Sequence, residues 1–87
     1  MQIIFEKSFL RGIRRLPEKL KDEITAQLIL LQLNPFTPTL HTKRLHGPLA
    51  GLYSFRIDHD YRVLFSLEYG ISIHLIDIGH RKDIYRQ

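Results

Sequence analysis

The chain has no cysteine. That excludes disulfides, a thiol nucleophile and any thiolate metal site. Tryptophan is absent too, and methionine occurs once. No apolar run approaches the length of a membrane span, and the N-terminal residues lack a signal-peptide core. No internal repeat or low-complexity stretch is present. Five histidines are scattered at 41, 46, 59, 74 and 80. They form no helical i,i+4 pair and no HExxH motif, so no metal site and no cofactor are expected. These absences point to one cytoplasmic domain over residues 1–87 with no membrane partner.

What is present is a small core and an excess of positive charge. The 87 residues are 44% hydrophobic and 25% charged, with a net charge of +4 and a pI near 9.7. This composition reads as globular. The basic balance favours an anionic partner, either nucleic acid or an acidic protein.

The apolar spacing changes once along the chain. QIIF reads as a first strand. Phe9, Ile13 and Leu16 then recur at helical spacing, with Ser8 as the expected N-cap. Pro17 suits the start of a second helix, along which Leu20, Ile24, Leu28 and Leu31 make a stripe. Asn34-Pro35 ends it. NPFTPTLHTKRLHGPLAG has turn formers and no period, and is expected to be a loop. Thereafter the period is two. Tyr53, Phe55 and Ile57 alternate with Ser54 and Arg56. Tyr61, Val63, Phe65 and Leu67 alternate with Arg62, Leu64 and Ser66. ISIHLIDIG is nearly continuously apolar and reads as a central strand, with His74 packed or hydrogen-bonded inside it. The expected fold class is α+β, in the order β-α-α-β-β-β. A helical hairpin covers one face of a mainly antiparallel sheet, and a short tail follows.

Register then brings basic residues together. A three-residue turn at Asp58-His59-Asp60 pairs Ile57 with Tyr61 and Phe55 with Val63, which keeps the large apolar residues, Tyr53 and Tyr61 included, on one face. The same register sets Arg56 opposite Arg62. Like charges so opposed disfavour the pairing by about 0.2–1 kcal/mol. Splaying into water is one solution; holding an anion between them is the other, and guanidinium suits phosphate oxygens. A two-residue turn at Tyr69-Gly70 would pair Arg62 with Asp77 and bring Gly79 and Arg81 to the same face. Lys43, Arg44 and His46 form a further basic patch, open to reading as solvated surface or as a nucleic-acid contact. The helix basics Lys7, Arg11, Arg14, Arg15, Lys19 and Lys21 carry the same two readings.

Three stretches, GLYSFR, YRVLF and GHRKDIYR, in this order and in so short a chain, resemble the RelE/ParE superfamily of bacterial and archaeal toxins, on the RelE side. The resemblance covers essentially the whole chain. It implies a ribosome-dependent mRNA endonuclease (an mRNA interferase). Such toxins enter the ribosomal A site, and the 2′-hydroxyl of the mRNA attacks the adjacent phosphate without a metal. Carried over by position, Arg62 would stabilise the scissile phosphate. Arg81 would serve leaving-group protonation or charge stabilisation. Tyr85 would stack on or orient a base. Arg56 and Ser54 stand where RelE carries a lysine pair, so the usual base is missing. His80 is the expected substitute, although the register gives it the opposite face parity from Arg81; His59 is a weaker candidate. Lys43, Arg44, Arg56, Lys82 and Arg86 are the expected RNA contacts, and mRNA with ribosomal RNA and a cognate antitoxin are the implied partners. The alternative within the superfamily is a ParE-like protein that poisons DNA gyrase and cuts no RNA.

Overall fold

A computed structural model describes residues 1–86. Strand β1 is Gln2–Phe5, helix α1 is Lys7–Arg14 and helix α2 is Glu18–Leu33. Four strands follow: β2 (Lys43–Arg44), β3 (Tyr53–Arg56), β4 (Tyr61–Glu68) and β5 (Ser72–His80). They form one sheet in the order β1-β5-β4-β3-β2. Among the described residues only the β1–β5 pair is parallel. The expected helical hairpin on a mainly antiparallel sheet is therefore present, and among the described residues no helix is long and apolar enough to cross a membrane.

α1 begins two residues earlier than expected. Its N-cap is Glu6, and Ser8 lies inside the helix. The cause is strand pairing: Glu6 N–H donates to Leu75 O at 3.0 Å, which holds the chain extended up to Glu6. The Glu6 carbonyl then accepts the first helical bond, from Leu10 N–H. α2 starts directly after Pro17 and stops at Asn34, whose backbone is extended and whose Oδ1 accepts Phe36 N–H. Leu20, Ile24 and Leu31 are buried and Leu28 packs beside them, as their spacing requires.

The segment expected to be a loop carries more order. It holds two 3-10 turns, Pro38–Leu40 and Gly47–Leu49, and the two-residue strand β2 paired to β3. Two residues are too few for periodicity to reveal.

β3 and β4 pair in the expected register, with Phe55 opposite Val63 and Arg56 opposite Arg62. The Asp58 carboxylate builds the turn, accepting Asp60 and Tyr61 N–H at 2.9 and 2.8 Å. The β4–β5 register differs from expectation. Glu68 faces Ser72, so the turn holds Tyr69, Gly70 and Ile71. A β-bulge then sets Leu64 opposite Asp77 and Phe65 opposite Leu75, leaving Ile76 as the extra residue. Arg62 therefore faces Gly79 and not Asp77. The bulge has a packing reason. A regular strand would carry Asp77 to the same face as Ile73 and Leu75, which are fully buried. The extra residue puts Ile78 into that core and Ile76 on the other face.

The main core lies between helices and sheet. Phe9, Phe55, Phe65, Leu20, Leu31 and Leu75 are fully buried there. A second, smaller cluster occupies the opposite face: Leu45, Leu64 and Ile84, with Leu49, Leu52, Ile76 and Tyr85 packed on it. The face away from the helices is thus partly covered by segment 45–52 and by the residues after β5.

Candidate functional site

Arg56, Arg62 and Gly79 form one row across β3, β4 and β5 on the face away from the helices. The chain after β5 folds back over this row. Asp83 and Ile84 N–H both donate to His80 O at 2.9 Å, closing a turn. Arg81 N–H bonds to Asp60 O at 2.6 Å, which ties that turn to the β3–β4 turn. Ile84 then rests on Gly79, where an added Cβ would meet Ile84 Cδ1 at 3.5 Å.

This fold-back delivers Tyr85. Its hydroxyl donates to Ser54 Oγ at 3.2 Å, and Ser54 is buried. Lys43 is the cross-strand partner of Ser54 and extends its ammonium over the Tyr85 ring, 5.4 Å from the centroid. The ring also walls a largely apolar pocket of about 490 Å³ with Leu45, His46, Pro48 and Leu49. Arg56, two residues beyond Ser54 on β3, is exposed on the same face. Lys43 and Tyr85 thus border one groove, Arg56 is exposed on the same sheet face, and Lys82 and Arg86 are exposed on the segment after β5.

Arg62 is committed differently. It is 8% exposed. Its Nη1 donates to the carbonyls of Asp58 at 2.9 Å, His59 at 2.8 Å and Tyr61 at 3.3 Å. The guanidinium thus staples the β3–β4 turn, and this relieves the like-charge opposition with Arg56. Arg62→Ala would leave those carbonyls unpaired, and a lost charge-assisted bond of this kind is worth about 1.5–3 kcal/mol. Urea unfolding should show a loss of that size; an unchanged midpoint would mean that the staple is not stabilising.

Arg81 reaches the same turn. Its Nε lies 3.4 Å from Asp60 Oδ1, and both side chains are about half exposed, 45% and 48%. Such a pair contributes little stability but restricts where the guanidinium points.

His80 does not join this group. It pairs with Tyr61 across the sheet, and the two rings meet edge to face at 5.4 Å between centroids. Both line a cavity of about 520 Å³ under α1, together with Arg11 and Arg15. Its Nδ1 accepts Lys82 N–H at 3.1 Å, so the proton of the neutral ring sits on Nε2. The expected substitute for the missing base is thus on the helix side, because β5 stays extended through His80. His59 is exposed at the tip of the β3–β4 turn.

Lys43 and Arg44 separate as well. Adjacent strand residues point to opposite faces, so Arg44 lies with Tyr53 on the helix side. The Tyr53 hydroxyl is held below its ordinary pKa, first by the hydrogen bond with Tyr69 (3.2 Å between oxygens) and then by Arg44. Tyr69 is correspondingly raised by its bond to Tyr53. His74 is hydrogen-bonded on the other face: Nδ1 lies 3.3 Å from Glu6 Oε1 and Nε2 lies 3.1 Å from Ser72 Oγ. Among the described residues no three His, Asp or Glu side chains gather as a metal site.

The contacts that sequence reasoning missed are Tyr85 to Ser54 and Lys43 to Tyr85. The first depends on the fold-back after β5, and the second on β2, whose pairing places Lys43 beside Ser54.

Comparison with known proteins agrees with this architecture. The sequence matches no curated protein. Among solved structures, YafQ from E. coli strain BL21(DE3) superposes with a TM-score of 0.82 at 14% identity, over 97% of each chain. The YoeB/ParE toxin from Agrobacterium tumefaciens gives 0.78 at 19%, covering 92% of this chain and 98% of that one. RelE in the archaeal RelE–RelB complex from Pyrococcus horikoshii OT3 gives 0.77 at 21%, over 94% and 96%. At these identities the likeness concerns the fold. The family is given by the sequence itself: residues 3–85 match the model for the ParE toxin of type II toxin–antitoxin systems. With the match running from β1 to Tyr85, the chain belongs to the ParE toxin family, within the RelE/ParE superfamily, and is the toxin of a type II toxin–antitoxin system.

Proposed function

We propose that this toxin is a ribosome-dependent endoribonuclease acting on mRNA in the cytoplasm, countered by a cognate antitoxin. The observation that carries the reading is the groove itself. Lys43 lies over the Tyr85 ring, Arg56 is exposed on the same sheet face, and Arg81 is held to the β3–β4 turn through Asp60. Cleavage by the 2′-hydroxyl needs three things: orientation, charge neutralisation at the phosphate, and proton transfer. Tyr85 gives a stacking surface for a base. Arg56 and Arg81 give donors for the non-bridging oxygens. Arg62 acts by holding the turn that carries both Asp60 and the start of β4. The products are a 2′,3′-cyclic phosphate and a 5′-hydroxyl.

The antitoxin follows from relatives. RelE from P. horikoshii was solved bound to RelB, and a YoeB from Staphylococcus aureus bound to YefM. A net charge of +4 makes an acidic segment the complementary partner.

One observation favours a second reading, a gyrase poison without nuclease activity. The Nη1 donors of Arg62 are spent on backbone carbonyls and the residue is 8% exposed, which limits what it can offer a phosphate to Nη2 and Nε. Primer extension on mRNA from induced cells separates the two. Discrete new 5′ ends within coding frames are expected; DNA damage with intact transcripts would select the gyrase reading.

A further inference from the structure

Breaking the P–O5′ bond leaves an alkoxide that needs a proton. Arginine does not give one up. The Tyr85 hydroxyl is donated to buried Ser54. His80 is on the helix side with Tyr61. Lys43 carries an ammonium that can transfer a proton, and it differs from Lys82 on the turn and His46 in the pocket by its place over the Tyr85 ring. Its pairing with Ser54 brings it to the groove face, and its Nζ stands over the Tyr85 ring. A base entering to stack on Tyr85 would displace that ammonium from the ring toward its neighbouring phosphate.

We propose that Lys43, presented by β2 over Tyr85, is the proton donor to the leaving 5′-oxygen. The inference rests on the ribonuclease reading above. As the 2′-oxygen closes on phosphorus, the P–O2′ bond forms and the P–O5′ bond breaks. The departing electron pair on O5′ takes a proton from Nζ. The 2′-hydroxyl proton leaves to solvent, and the resulting amine regains a proton from water. Arg56 and Arg81 hold the charge on the non-bridging oxygens throughout. The pocket beyond the ring sets Leu45, Pro48 and Leu49 beside the basic side chains of Lys43, Arg44 and His46.

The test compares two mRNAs on programmed ribosomes under single-turnover conditions, one with the natural linkage and one with sulfur in place of the scissile 5′-oxygen. A thiolate leaves without a proton, so it does not need the donor. Lys43→Arg keeps the charge over Tyr85 and loses the transferable proton. It should cleave the natural linkage about 10²–10⁴-fold more slowly than the unaltered protein, and the sulfur linkage to within about threefold of it. Thermal unfolding of the variant checks that the fold is kept. Equal cleavage of the natural linkage by Lys43→Arg would overturn the proposal. So would an equal slowing on both linkages, which would make Lys43 a binding residue. If the unaltered protein cleaves neither mRNA, the ribonuclease reading itself fails and this proposal falls with it.

Discussion

Tyr85→Ala and Arg81→Ala should each abolish growth arrest while leaving a folded protein. For Arg81 the separation is clean. The side chain is about half exposed and its partner Asp60 is too. Pairs of that kind contribute about 0–1 kcal/mol to stability. The same guanidinium aimed at a developing phosphate charge is worth far more, and losing one such donor slows reactions about 10²–10³-fold. Tyr85 needs a second variant, because its ring also packs on Leu45, Leu64 and Ile84. Base stacking on an aromatic is worth about 1–3 kcal/mol, all of it lost in Tyr85→Ala. Tyr85→Phe keeps the ring and removes only the bond to Ser54. It should retain toxicity, with cleavage reduced about tenfold at most, the value of a neutral hydrogen bond. Cleavage assays beside circular dichroism would show both effects. A fully toxic Arg81→Ala, or a Tyr85→Phe as inactive as Tyr85→Ala, would remove that residue from the chemistry assigned to it.

Gly12→Ala is expected to destabilise the protein, against the ordinary preference of helices. Alanine in a helix interior normally gains about 1 kcal/mol over glycine. Here a Cβ would stand 2.5 Å from Ile78 Cγ2 and 2.6 Å from Ile78 O. The side-chain atom can rotate away, but the carbonyl belongs to β5 and cannot. β1 covers β5 only from Ser72 to Leu75, and α1 takes over the exposed edge beyond. Lifting α1 would loosen Phe9, which is fully buried. Overpacking of this kind costs about 1–3 kcal/mol, so the net loss is up to about 2 kcal/mol, and Gly12→Val should lose more. Urea denaturation of both variants gives the sign. A stabilised Gly12→Ala would show that α1 can move off β5 without penalty.

Much of the arrangement was legible in the residues. Alternation around Asp58-His59-Asp60 determined the β3–β4 register, and with it the Arg56–Arg62 pair, because slipping by one residue would expose Phe55 and Val63. The α2 stripe was equally plain. The β4–β5 register was less so. A third turn residue at Ile71 and a bulge at Ile76 each shift pairing by one. Their sum restores the face of Gly79 while displacing Asp77 from Arg62. Only the burial of Ile73 and Leu75 and the polarity of Asp77, taken together, require that bulge. Side-chain direction was the least legible. Arg62 points along its own strand into turn carbonyls, and nothing in YRVLF distinguishes that from reaching across the groove. His80 lies with Tyr61 because β5 continues through it, where a strand ending one residue earlier would have released it. Lys43 entered the groove through a two-residue strand that leaves no periodic trace.

The ribonuclease reading is tested most directly by the chemistry of the cut ends. Purified toxin is mixed with ribosomes carrying a defined mRNA, and the fragments are analysed by mass. Cleavage in the A-site codon should yield an upstream fragment ending in a 2′,3′-cyclic phosphate and a downstream fragment starting with a 5′-hydroxyl, both absent with Arg81→Ala. Intact mRNA under these conditions, with gyrase-dependent DNA breaks from the same preparation, would contradict it.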